Sequence, residues 1–145
     1  MEVRYFEDAE PGDEFHDTWA PDIEQVQAYI GVEPGALQSQ GRFYDPEVAK
    51  QLGFERPIVP GAMSMSILAR LVTDWMGFEG TLENIDVNFR RPVLHGDELR
   101  SVGVVTDIVE DGDAARVKLD VHLENDRGER PLQGTAVVRL PRRPE

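Results

Sequence analysis

Arg56-Pro57-Ile58-Val59-Pro60-Gly61-Ala62-Met63-Ser64-Met65-Ser66-Ile67-Leu68-Ala69-Arg70-Leu71-Val72-Thr73-Asp74-Trp75-Met76-Gly77 is the stretch that decides the fold of this chain. Pro60 and Gly61 punctuate its start, and Gly77 its end. From Pro57 to Ala69 it carries no charge. Apolar or small residues fall on every face rather than along one stripe. That distribution predicts a helix over 61–76 enclosed by the rest of the fold. The helix is too short, and too interrupted by Ser, Arg and Asp, to span a bilayer.

After Gly77 the period of the pattern changes from helical to two. Ile85, Val87 and Phe89 share one face against Asp86, Asn88 and Arg90. Leu99 to Val109 is a long apolar run. Val117, Leu119, Val121 and Leu123 alternate with Lys118, Asp120, His122 and Glu124, and Ala136, Val138 and Leu140 make the last alternation. Gly96-Asp97, Asp111-Gly112-Asp113 and Asn125-Asp126-Arg127-Gly128 are turn chemistry between these strands. Ahead of the central helix, Tyr5 to Trp19 reads as a loop and short strand around the turn Pro11-Gly12-Asp13. Asp22 opens a helix carrying Ile23, Val26, Tyr29 and Ile30, which Gly31 stops. Gly31 to Tyr44 reads as loop. Asp45 caps a short helix with Pro46 at its first position, ending near Gly53. Helices first and an antiparallel meander afterwards make an α+β chain. A long buried helix followed by a wrapping sheet is the plan of a hotdog fold, expected here as one domain over 1–145. An edge strand left exposed by one such sheet predicts pairing with a second copy.

The composition narrows the function. The hydrophobic fraction is 40% and the charged fraction 30%, as in globular rather than disordered or membrane chains. The formal net charge of −13 argues against nucleic acid and anionic membranes as partners. There is no cysteine, hence no disulfide framework and no thiolate chemistry. No histidine pair has metal-site spacing, so neither metal nor cofactor is expected. Met1-Glu2-Val3-Arg4-Tyr5 lacks the apolar core of a signal peptide, and a cytoplasmic protein is the expectation. Of the 15 basic residues 13 are Arg, whose forked guanidinium suits phosphate.

Two blocks carry a family resemblance. Asp45-Pro46-Glu47-Val48-Ala49-Lys50-Gln51-Leu52-Gly53-Phe54, followed by Arg56-Pro57-Ile58-Val59-Pro60-Gly61, resembles the MaoC-like family of hotdog hydratases and dehydratases. Asn88-Phe89-Arg90-Arg91-Pro92-Val93-Leu94-His95-Gly96-Asp97-Glu98-Leu99 looks like that family's Phe-x-x-Pro-Val and Gly-Asp strand pair. Order and separation agree over roughly residues 10 to 140. The resemblance implies the addition of water to an enoyl thioester, or its removal from a 3-hydroxyacyl thioester, on coenzyme A or acyl carrier protein. It implies an Asp and His pair in the loop before the short helix. It also implies a backbone N–H at the start of the central helix that receives the thioester oxygen, here Gly61 with Ala62 beside it.

The helix start matches, but the pair does not. Anchored on Asp45 and Ala49, the family's His position falls on Phe43, its Asn-Pro on Gln40 and Gly41, and its Asp on Gln38. No histidine lies between His16 and His95. Neither Gln nor Phe is a general base. Gln38, Gln40 and Phe43 therefore stand as ligand-binding positions. Tyr44, Glu33 and His95 are the residues that could replace the pair. The competing reading of each is plainer: Tyr44 as pocket wall, Glu33 as a solvated loop carboxylate, His95 as an exposed turn residue. Arg42, Arg56, Arg90 and Arg91 are the candidate phosphate contacts.

Four functions follow. The first is a hydratase or dehydratase with an altered catalytic set. The second is a non-catalytic acyl-binding subunit, in a homodimer or in a heterodimer with a complete hotdog paralogue. The third is another hotdog chemistry. Hydrolysis is disfavoured because Asp74, the one carboxylate of the central helix, sits at its far end, which leaves tailoring of a polyketide-like chain. The fourth is an interaction module. Ala62, Ser66, Ala69 and Thr73 recur at helical spacing and predict a narrow groove for an acyl chain or a neighbouring strand.

Overall fold

The computed structural model describes residues 2–30 and 38–145. After a short 3₁₀ turn at Phe6–Asp8 come β1 (Glu14–Trp19) and α1 (Ile23–Ile30), then a second 3₁₀ turn at Gln38–Phe43. Next are α2 (Pro46–Gln51), the long α3 (Gly61–Met76), and strands β2 (Thr81–Phe89), β3 (Leu99–Asp111), β4 (Ala114–Glu124) and β5 (Leu132–Arg139). The local signals account for the helix starts. Asp22 Oδ1 accepts from Gln25 N–H at 2.8 Å and Asp45 Oδ1 from Glu47 N–H at 3.0 Å, both capping bonds. Pro46 stands at the first position of α2.

The five strands form one antiparallel sheet in the order β1-β3-β4-β5-β2. This corrects the simple meander. Only β3, β4 and β5 follow one another; β2 lies at the far edge, beside β5. Residues 90–98 carry the chain across the molecule. They do so by pairing with the segment ahead of α3: Val59 N–H donates to the Val93 carbonyl at 2.7 Å and His95 N–H to the Pro57 carbonyl at 3.0 Å. Gly134 lets β2 close on β5, since an added Cβ there would stand 1.9 Å from the Asp86 carbonyl oxygen.

The inner face of the sheet is the alternation read from the sequence. Ala115, Val117, Leu119, Val121 and Leu123 of β4 are each no more than 1% exposed. Leu68 and Val72 of α3 pack on this face. Full burial of a Leu or Val side chain contributes about 1.5–3 kcal/mol, so this seam dominates the core. The expectation of a helix enclosed on every face is not met within one chain. Gly61, Ala62, Ser66, Arg70 and Asp74 are exposed along one side of α3, because the sheet curls around only the other side. Two members of the small-residue series, Ala62 and Ser66, therefore face outward rather than against the sheet.

Candidate functional site

The start of α3 has donors without acceptors among the described residues. Pro60 caps the helix without a side-chain bond. Its carbonyl accepts from Met63 N–H at 3.0 Å and Ser64 N–H at 3.2 Å. The N–H groups of Gly61 and Ala62 precede these and have no intrahelical acceptor. They sit at the positive end of a 16-residue helix dipole. Both residues are exposed. A cleft of about 330 Å³ opens beside them, lined by Gly61, Ser64, Phe89, Arg91, Val93 and Leu132 among others. Phe89, 57% exposed, lays its ring against the bare Gly61, where a Cβ would come within 3.1 Å of Cε1. Chemically, this end of the cleft can hold an oxygen that carries or develops negative charge.

The loop ahead of α2 meets this end. Ile58 N–H donates to the Arg42 carbonyl at 2.9 Å, which joins the Gln38–Phe43 turn to the chain entering α3. Phe43 is half-buried and packs against the core, with the Arg42 guanidinium 4.2 Å from its ring centroid. Tyr44, also half-buried, follows at the end of this turn. The backbone of Gln38 and Gln40 belongs to the turn, but their side chains, and all of Glu33, lie outside the described residues.

The arginines divide. Arg91 forms an ion pair with Glu129. Arg90 lies 3.0 Å from the side-chain amide of Gln133. Arg56 is structural: Nη2 donates to Asp97 at 3.0 Å and Nη1 to the His95 carbonyl at 2.6 Å. Asp97 is 1% exposed. It also accepts from Leu94 N–H at 3.0 Å and Arg127 Nη1 at 3.3 Å, which locks the turn at 94–97.

His95 differs from its expected exposure. It is 6% exposed, because pairing with Pro57 turns its side chain inward on the same side as Val93 and Val59. It lines a separate cleft of about 680 Å³ with Asp22, Glu24 and Arg56 rather than the cleft at Gly61. Burial pushes its pKa down. The nearby Ile58 and Phe43 backbone and the Asp22 charge oppose that shift only in part. Neither ring nitrogen has a well-formed hydrogen bond among the described residues. His122 is half-buried on β4, its pKa also lowered by burial, and His16 is exposed on β1. Asp74 pairs with Arg70 at 3.6 Å on the exposed side of α3. Among the described residues no cluster of metal-ligating side chains occurs and no helix is long and apolar enough to cross a membrane.

The family model described as MaoC like domain matches residues 44–126. An (R)-specific enoyl-CoA hydratase of Aeromonas caviae is 32% identical over 98 residues, 67% of this chain and 72% of that protein. The chain belongs to the MaoC-like family. Among solved structures, an (R)-hydratase from A. caviae involved in PHA biosynthesis superposes with a TM-score of 0.79 at 26% identity, over 92% of this chain and 98% of that one. The C-terminally truncated HadBC (3R-hydroxyacyl-ACP dehydratase) complex from Mycobacterium tuberculosis gives 0.69 at 19% identity, over 89% and 96%, and shares the fold. The sheet and helix described above are thus the hotdog fold of MaoC-like proteins. The family match begins at Tyr44, immediately after the turn that holds Gln38, Gln40 and Phe43.

Ser64 also lines this cleft, although in sequence it reads as part of the apolar helix around it. Its signal was a lone hydroxyl between Met63 and Met65, one turn after the helix-start glycine.

Proposed function

We propose that this MaoC-like chain binds an enoyl or 3-hydroxyacyl thioester, carried on coenzyme A or acyl carrier protein, and takes part in its hydration or dehydration. The observation that carries the reading is the open, uncapped start of α3 at Gly61 and Ala62, in a chain related to an (R)-specific enoyl-CoA hydratase. In hydration the water gives up one proton to a base as its oxygen bonds to C3, C2 then gains a proton, and the thioester oxygen carries enolate charge between the two events. Two preorganised N–H groups at a helix N-terminus stabilise that charge without reorganisation.

Proton transfer falls to an altered set. Gln38 and Phe43 move no proton at neutral pH. Gln38 and Gln40 serve as hydrogen-bonding groups and Phe43 as a wall. Tyr44 and Glu33 are the residues to replace first; His95 opens on the separate cleft beside Asp22 and Arg56 and is not among them. Arg90 and Arg91, at the mouth of the Gly61 cleft, are the contacts proposed for the carrier's phosphates.

The absence of histidine between His16 and His95 favours a second reading. In it the chain supplies the acyl-binding wall of a dimer with a hotdog partner that holds the pair; the first reading is compatible with a homodimer. Hydration of an enoyl-CoA panel, followed by loss of enoyl absorbance, separates the readings. Turnover by the chain alone supports the altered set. Turnover only after mixing with a pair-bearing MaoC-like protein supports the second reading. Turnover in neither case refutes both.

A further inference from the structure

Three hydroxyls lie on α3, and two are satisfied in the ordinary way. Ser66 Oγ donates to the Ala62 carbonyl at 2.8 Å and Thr73 Oγ1 to the Arg70 carbonyl at 3.2 Å. Ser64 is different. It is 1% exposed, and its Oγ has no hydrogen-bond partner among the described residues. The acceptor it would use by the same geometry, the Pro60 carbonyl, already receives the N–H groups of Met63 and Ser64. A buried hydroxyl without a partner is unfavourable and rare in folded proteins.

Its position gives it a use. Ser64 lines the same cleft as Gly61 and Phe89. Residues three apart on a helix share a face, and side chains lean toward the N-terminus. The Cα–Cβ bond of Ser64 is therefore tilted toward the turn whose first residue, Gly61, has no side chain. One turn, about 5 Å, separates it from the first N–H groups of the helix. The remaining wall is mostly apolar, with Val59, Val93 and Leu132 each no more than 4% exposed. A ligand that fits has one oxygen for the N–H groups, a second oxygen a few atoms away for the hydroxyl, and apolar matter beyond. A thioester with an oxygen on C3 has this pattern; a saturated acyl thioester lacks the second oxygen.

We infer that Ser64 is the hydrogen-bonding subsite for the C3 oxygen of the acyl group, so that the cleft discriminates 3-hydroxyacyl from saturated acyl thioesters. The inference rests on the thioester reading above and adds the residue that reads the β-position. Ser64 binds and orients that oxygen; its hydroxyl is too weak an acid or base to move the proton.

Calorimetric titration of the full chain with 3-hydroxybutyryl-CoA and with butyryl-CoA tests it. The wild-type chain is expected to bind the hydroxyacyl ligand about tenfold more tightly, the worth of one hydrogen bond to an otherwise orphaned group. Ser64→Ala is expected to bind the two alike, with its affinity for butyryl-CoA within about twofold of wild type, since only the hydroxyl contact is lost. Ser64→Cys, similar in size and a weak donor, is expected to lose most of the preference and covers the case of a poorly folded Ala variant. Equal binding of both ligands by the wild-type chain overturns the subsite and leaves the thioester reading standing. So does a preference that survives Ser64→Ala. Binding of neither ligand by the wild-type chain overturns the thioester reading and the subsite together.

Discussion

Asp97→Ala is the perturbation whose magnitude the structure defines best. The carboxylate is 1% exposed. One oxygen takes Arg56 at 3.0 Å and Arg127 at 3.3 Å; the other takes Leu94 N–H at 3.0 Å. The two guanidinium side chains are 38% and 47% exposed and regain water when the carboxylate is removed. Leu94 N–H loses its acceptor, and the Arg56 clamp on the His95 carbonyl loosens. Breaking a buried ion pair costs about 3–5 kcal/mol, and resolvation of the arginines puts this case near about 3 kcal/mol. For a chain of this size that lowers Tm by about 10 °C. Asp97→Asn keeps the shape and an acceptor for Leu94 N–H, so its loss is expected to be smaller. Because 93–95 pair with the chain entering α3, Asp97→Ala is also expected to weaken thioester binding at Gly61. Urea and thermal unfolding of wild type, Asp97→Asn, Asp97→Ala and Arg127→Ala give the comparison. A Tm for Asp97→Ala within about 3 °C of wild type refutes the reasoning.

Gly134→Ala places a Cβ 1.9 Å from the Asp86 carbonyl. Expulsion of β2 from the sheet, seen as insoluble or molten protein by near-UV circular dichroism, is the expected outcome. Gly61→Ala meets only the exposed Phe89 ring at 3.1 Å. Its Tm should stay within a few degrees of wild type while thioester affinity falls at least about tenfold, as the methyl fills the face the oxygen needs; titration beside a melt distinguishes the two effects. Burial lowers the pKa of His95 below the ordinary imidazole value. In acid the unfolded chain takes up that proton first, so the contribution of His95 to stability is present above its unfolded pKa and is lost as pH falls from about 6.5. His95→Leu should flatten this part of the stability curve between pH 7.5 and 5.5. A residual slope should remain from His122, whose pKa is lowered in the same direction. An unchanged curve would show that His95 is not desolvated.

The sequence by itself determined whatever is written in local or periodic chemistry. The caps at Asp22 and Asp45, the Pro60-Gly61 helix start and the alternation of Val117 to Leu123 needed no partner elsewhere in the chain to be legible. The motifs around Asp45 and Asn88 likewise sufficed for the MaoC-like family. Tertiary structure decided what depends on contacts between distant residues. The shift of β2 to the edge beside β5 is a choice of partner, and period-two patterning names the face but not the neighbour. His95 reads as a turn residue until its pairing with Pro57 turns it inward, 38 positions along the chain from its partner. Arg56 reads as a phosphate contact until Asp97 claims it. Ser64 reads as one more small helix residue. Only packing shows that its hydroxyl is buried, that Pro60 is already engaged, and that the face before it has been left bare by Gly61 and covered by Phe89. Whether a hydrogen bond is satisfied depends on three-dimensional surroundings, and no spacing along a chain encodes it.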